Sequence, residues 1–278
     1  MSKILSFKPR KSPWLLLFSI VLATGSPAAV SSVAQEPQLS QEQVISRIRK
    51  AHIVANVSPH SFDSYRFAGC MYIEQTALPK KAANIKLNCI SEETGVLQSS
   101  SAYVSIVIGS TRVTELIDIS QAKGWHITSI SAGSRKPVRN VSLLQKFKYD
   151  ALLENTQHSL LALLGILNGA DNQLRVGLGV SYRDQAVVIS WRDGGSSNEF
   201  WFERRTFLCE KQVRTVGAGT TVLRYSNYKS VSNVMLPHTI MMVKEDGTTI
   251  ATRAVGQWSL ATEWLKNSFD PEEIGGFD

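Results

Sequence analysis

The chain has 278 residues, 43% of them hydrophobic and 19% charged, with a formal net charge of +7. That length and composition suit a β-rich domain with a large core. The positive charge does not mark a nucleic-acid binder, because no basic run exceeds two residues and no phosphate-tracking stripe can form.

Lys3, Lys8, Arg10 and Lys11 precede the apolar run "WLLLFSIVLA", and small residues then lead to Ser32, Val33 and Ala34. This is the layout of a secretory signal peptide, so residues 1–34 are expected to be removed and 35–278 to form one domain. The run falls well short of the ~20 apolar residues of a spanning helix. No cysteine follows it closely enough to be acylated. Without the leader the balance becomes 26 basic against 23 acidic residues, about +3, so much of the charge belongs to export.

Next comes a helix. Ser40 and Gln43 have capping-box spacing, Leu39 can staple to Val44, and Val44, Ile45, Ile48 and Ala51 recur on one face. The helix is predicted over 41–56, with "SPHS" ending it. Strands follow at 62–75, 84–91, 103–108, 111–119 and 125–131, with alternation clearest in "YVSIVI" and "RVTELIDI". Turns fall at "LPKK", "SEETG", "GS" and "AKG". If 78–81 is a turn, Cys70 and Cys89 oppose each other on paired strands. They can then form a disulfide in an oxidising compartment, or remain two small buried hydrophobes. Cys209 is left over as a strand residue.

A helical insert interrupts the strands. In "NVSLLQKFKYDALLEN", Leu143, Leu144, Phe147, Ala151 and Leu152 make one stripe. In "TQHSLLALLGILNG" nearly every position from Leu160 to Leu167 is apolar, so that helix is either buried on several sides or faces a greasy ligand. Strands then resume at 174–182, 185–192, 198–205, 209–216, 220–230, 236–244 and 248–258, with hairpin turns at "DGGSS" and "EDG". Taking "GGSS" as a loop pairs Trp191 with Phe200 and Ile189 with Phe202.

Strands that do not alternate with crossover helices disfavour a parallel sheet. The expected fold is mainly β (α+β): an open, strongly curved antiparallel half-barrel of about eleven to twelve strands. An N-terminal helix and the two-helix insert plug its concave side. A trough between sheet and helices is then lined by Leu160, Leu161, Leu164, Leu167, Ile189, Trp191, Phe200, Phe202, Tyr225 and Trp258. Any one of these side chains serves as core or as lipid wall, core being the commoner fate of an aromatic on a strand's inner face.

No chemistry stands out beside this. His52, His60, His126, His158 and His238 are dispersed without metal-ligand spacing. No GxSxG elbow precedes a helix. "GLG" at 177–179 opens no helix and cannot cradle phosphate. Glu92, Glu93, Glu272 and Glu273 read as solvated loop or tail charges. No cofactor, metal or catalytic residue is expected.

The second half carries a resemblance. "NEFWFERRTFLCEKQV", "YSNYKSVSNVMLPHTIMMVKEDG" and the closing "WLKNSFDPEEIGGF" are similar to motifs of the lipoprotein-sorting carrier family of the bacterial envelope (LolA-like and LolB-like). The earlier "KGWHI" and the two-helix insert fall in the same order. Asn233 stands where that family commonly has glycine, and "ERRTFLCE" lacks its acidic and proline positions. The resemblance implies an incomplete β-barrel lidded by helices, in which "SNVMLP" is a corner between strands. There Asn233 adopts the left-handed conformation, Pro237 ends pairing at the rim, and Val234 and Leu236 tuck beneath.

It further implies a periplasmic, monomeric, non-enzymatic carrier of lipid or lipoprotein acyl chains, with peripheral membrane contact. Relatives of this fold also include envelope-stress sensors that bind an anti-sigma factor. The alternative is therefore a regulatory or scaffold protein whose partner is another envelope protein. A solid interior favours that alternative.

Overall fold

The computed structural model describes residues 38–62, 64–73, 91–98, 101–132, 135–169, 178–183, 185–193, 196–216 and 219–260, with 269, 271 and 274 of the tail. The predicted strand at 84–91 and Cys89 lie outside the described residues, except for Ser91.

The strands are β1 (Ser64–Ile73), β2 (Ser91–Gln98), β3 (Ser101–Ile108), β4 (Thr111–Asp118), β5 (Lys123–Ala132), β6 (Arg135–Leu143), β7 (Leu178–Arg183), β8 (Ala186–Asp193), β9 (Ser196–Glu203), β10 (Cys209–Val216), β11 (Gly219–Val231), β12 (Val234–Val243) and β13 (Thr249–Leu260). The helices are α1 (Gln41–His52), α2 (Lys146–Gln157) and α3 (Leu160–Asn168). All thirteen strands join one open antiparallel sheet, in the order β6-β5-β4-β3-β2-β1-β13-β12-β11-β10-β9-β8-β7. Two meanders, β1–β6 and β7–β13, are thus stitched together where β1 pairs with β13.

That order explains the insert. α2 and α3 connect β6 to β7, which are the two opposite edges of the sheet. Lys148 of α2 bonds Glu115 on β4 at 2.6 Å, while Asn155, two turns on, is bonded by Arg214 on β10. A helix segment of about 10 Å therefore ties strands that a flat sheet would set about 34 Å apart. The sheet curls around the helices, giving the open half-barrel.

α1 starts as its sequence dictates: the Ser40 hydroxyl accepts from the Gln43 N–H, and Gln43 returns a bond to the Ser40 N–H at 2.9 Å. It ends at His52, four residues before the predicted stop. Ile53 instead bridges to Val234, and the Val54 N–H donates to the Asn233 carbonyl at 2.8 Å. Pairing with a distant hairpin overrides the helical pattern there.

The other departures have similar causes. "SEETG", read as a turn, lies in β2. Glu93 is 2% exposed there, far from the solvated loop charge expected, because Arg253 of β13 grips its carboxylate. Gly95 is needed because the Phe67 ring of β1 lies directly over it: a Cβ would sit 1.8 Å from that ring. β6, which the sequence reading missed, is an edge strand, where Pro137 is tolerated. It takes in Leu143, which is exposed, so the stripe predicted for α2 begins in a strand.

Cys70 faces Glu92 across the β1–β2 ladder, so the register that opposed it to Cys89 does not hold. In the β8–β9 hairpin Ile189 pairs with Phe200 and Trp191 with Asn198, two positions from the predicted pairings. The turn is tighter than "GGSS", since Asp193 and Ser196 already pair. A slip of two leaves every side chain on its predicted face.

"SNVMLP" is a two-residue hairpin turn. Ser232 and Asn233 both have positive φ, 48° and 66°, as a primed turn demands, and Val231 pairs with Val234. Val234 and Leu236 are fully buried beneath the sheet. Pro237 lies inside β12 rather than at a rim: it pairs with Tyr228 on β11, and pairing with β13 begins only at Thr239. The tail also touches the sheet. Phe269 packs on Tyr103, and Arg139 donates to the carbonyls of Pro271 and Ile274.

Candidate functional site

The concave side divides into a solid half and a hollow half. Under β7–β10, α1 and α3 pack Val44, Ile48, Leu163, Leu164 and Leu167 against Ile189, Phe200 and Phe202, all fully buried. Tyr182 and Gln41 tie α1 to β7 through backbone carbonyls. Six of the ten predicted cavity residues belong to this solid half: Leu164, Leu167, Ile189, Trp191, Phe200 and Phe202. Trp191 meets the His158 ring edge-on at 4.9 Å.

The hollow half lies between α2, the start of α3 and the inner face of the central strands. Its volume is about 620 Å³, within the range of roughly 300–1,000 Å³ of small-molecule pockets. Leu160, Leu161, Tyr225 and Trp258, the other four predicted residues, line it. On the sheet side Trp258 stacks obliquely on Tyr65 at 5.9 Å and on Phe67 at 5.7 Å. Its indole N–H donates to the Pro237 carbonyl at 3.0 Å, which uses the carbonyl that proline offers and fixes the ring. Leu223, Leu236 and Ile240 extend the apolar wall, and Ala151 and Leu152 of α2 face it from above. At the opening Phe147, Val216 and Met242 stay exposed, at 65%, 48% and 39%.

One end of the cavity is polar. The Tyr225 hydroxyl donates to Gln212 Oε1 at 2.6 Å. Gln212 Nε2 in turn donates to the His158 carbonyl at 2.8 Å and to Asn198 Oδ1 at 3.1 Å. Arg214 bonds Asn198, Asn155 and the His158 carbonyl. This network clamps the α2–α3 junction to β10. Burial pushes the Tyr65 phenol up to about 12, a hydrogen bond with Ser159 working against it. Burial likewise raises the Tyr225 phenol and lowers Arg214. Both phenols therefore stay protonated, as donors and not charges.

Sequence reasoning missed Tyr65, Phe67, Gln212, Arg214 and the Arg253–Glu93 pair. Tyr65 and Phe67 alternate within a predicted strand and were within reach of a period-two count. Gln212 and Arg214 were not, because polar residues on a strand are assigned to solvent by default. Among the described residues no group of three or more His, Cys, Asp or Glu could hold a metal ion. No helix among them is long and apolar enough to cross a membrane.

No family model and no curated protein matches this chain. Solved structures do. A LolA superfamily protein from Nitrosomonas europaea aligns at 13% identity and a TM-score of 0.46, covering 84% of this chain and 98% of that one. A DUF1329 family protein from Desulfovibrio piger aligns at 10% identity and a TM-score of 0.45, covering 82% and 95%. A structure described as an outer membrane lipoprotein-sorting protein domain, from Vibrio parahaemolyticus, aligns at 11% identity and a TM-score of 0.38, covering 82% and 95%. Likeness at this level concerns the course of the chain and says nothing of cargo.

Proposed function

We propose that the protein is an exported binding protein that holds the acyl chain of a lipid or lipoprotein in the hollow half of its half-barrel. The observation that carries this reading is the cavity of about 620 Å³ between α2 and the central strands, walled by Trp258, Phe67, Leu160, Leu161, Leu236 and Ile240. Each methylene moved there from water gains about 0.8 kcal/mol, so affinity needs no further chemistry. A cavity that its own side chains leave unfilled favours a carrier over a scaffold with a solid interior. Cargo leaves when α2 shifts off the sheet, and the Arg214 and Gln212 bonds to the α2–α3 junction are those that must break.

Export rests on residues 1–34, and the periplasm is the compartment such a leader serves in a bacterial envelope. The exposed Phe147, Val216 and Met242 suit brief contact with a lipid surface during loading. The test is direct. Protein purified from its native compartment should begin at Gln35 and release acyl lipid on organic extraction, and the delipidated protein should quench or shift a fluorescent fatty acid. Protein that neither copurifies with lipid nor binds the probe is no carrier.

A further inference from the structure

Among the described residues, the charged side chains that line the hollow half balance. Asp150, Glu154, Arg214 and Arg253 face the cavity, two of each sign. Arg253 is gripped by Glu93, whose carboxylate is 2% exposed and accepts from two guanidinium nitrogens, one of them at 2.9 Å. Asp150 is bonded by Lys146 at 3.0 Å. Burial lowers Arg214, and the Glu154 carboxylate is among the groups that oppose this, so that cation has its counter-charge as well. Tyr65 and Tyr225 are protonated and add none. An added ion of either sign would lose its water there without gaining a free opposite charge.

The lining holds uncharged hydrogen-bonding groups instead. Thr221 pairs with Arg214 across the β10–β11 ladder and is exposed. Asn155 of α2, also exposed, spends its amide oxygen on Arg214. The Asn155 amide nitrogen and the Thr221 hydroxyl have no partner of their own among the described residues. Leu161 and Leu236, deeper in the wall, are almost wholly buried. We propose that the cargo is an uncharged amphiphile of the acylglycerol kind. Its hydroxyl and ester oxygens meet Asn155 Nδ2 and the Thr221 hydroxyl, and its chain runs inward to Leu161, Leu236 and Trp258. This rests on the acyl-chain reading above and narrows it to a neutral, hydroxyl-bearing headgroup. A free fatty acid still enters through its chain, less tightly.

The experiment compares three ligands with chains of twelve carbons, 1-dodecanoylglycerol, dodecanoate and dodecyltrimethylammonium, by calorimetry on the delipidated protein at pH 8. Each is kept below the concentration at which it forms micelles. The acylglycerol should bind about ten-fold or more tightly than either ion. Thr221→Val, which keeps the shape of an exposed strand residue, should narrow that gap about three-fold by weakening the acylglycerol alone. Glu93→Gln releases Arg253 towards the cavity and should shift the preference about ten-fold towards dodecanoate. Either ion binding the unsubstituted protein as tightly as the acylglycerol overturns the headgroup assignment alone, and that comparison stands even if a variant does not fold. A folded Glu93→Gln with an unchanged preference overturns it too, since charge balance would then not set the choice. Binding of none of the three overturns it together with the acyl-chain reading.

Discussion

His52 Nδ1 and the carbonyl oxygen of Met235 lie 3.0 Å apart, joining the last turn of α1 to β12. The ring's other nitrogen accepts the backbone N–H of Cys209 at 3.3 Å, so the proton sits on Nδ1 and the imidazole is neutral. The side chain is fully buried between the Phe202 and Tyr228 rings. One residue thereby staples the helix to both β10 and β12.

Burial lowers the pKa of His52 from 6.5 to about 4, the bond to Met235 working against it. The unfolded chain therefore binds a proton between pH 6.5 and 4 that the folded chain refuses. Stability is unaffected by this group above pH 6.5, falls as the pH drops through that window, and levels off below it. The full loss is roughly 3 kcal/mol. Urea midpoints measured from pH 7 to 4 should fall for the wild type. His52→Gln should be less stable at pH 7 but show a flatter profile, and identical slopes would refute the assignment.

Gly95 and Phe67 form a second dependent pair. Because a Cβ at Gly95 would lie 1.8 Å from the Phe67 ring, Gly95→Ala must turn that ring away from its place beside Trp258. Overpacking of this kind costs about 1–3 kcal/mol. Shortening Phe67 to Leu removes the clash, so the double variant should lose less than the sum of the single ones. Strict additivity in thermal denaturation would show that the ring does not rest there.

How far the sequence foretells this molecule depends on where each signal lives. α1 and α3 were legible because their causes are local: a capping box in one, and in the other an apolar run opened by Ser159, whose hydroxyl accepts from the Ala162 N–H. The "SNVMLP" corner was legible in part, through its resemblance and because Asn233 takes positive φ readily, whereas nothing in Ser232 announces the same conformation. β2 was hidden because Ser-Glu-Glu-Thr-Gly has turn chemistry, and what makes it a strand is an arginine 160 positions away. The polar end of the cavity was hidden more deeply. On β10 the inward residues are Gln212 and Arg214, with the apolar Val213 on the alternate face, so hydropathy points the wrong way. Only the joint need of three strands and the α2–α3 junction turns polar groups inward there.

The cysteines permit a counting experiment. Cys209 is a free, fully buried thiol whose pKa burial drives upward. It should resist alkylation in the native protein. If Cys70 and Cys89 are bonded, the first of the two alternatives the sequence leaves open, Cys209 is the sole thiol of the three cysteines. Alkylation under denaturing, non-reducing conditions should then add one label by mass, and three after reduction. Three labels without reduction would rule the bond out.

Filling the hollow tests the cavity itself. Ala151 lies in the middle of α2, faces the cavity and is solvent-exposed, so a larger side chain there can enter the space without displacing core. Ala151→Trp should place its indole against the wall that Leu160 and Ile240 provide. The change in melting temperature should be small, because the substitution removes no buried group and surface changes of this type fall within about ±0.5 kcal/mol. Acyl-chain affinity should drop ten-fold or more, since a ligand must now expel the indole from apolar surroundings or do without that volume. Fluorescent fatty acid titration of wild type and variant reads both effects on one pair of proteins. Unchanged affinity in a folded Ala151→Trp would move the binding site away from α2, and with it the gate by which α2 releases cargo.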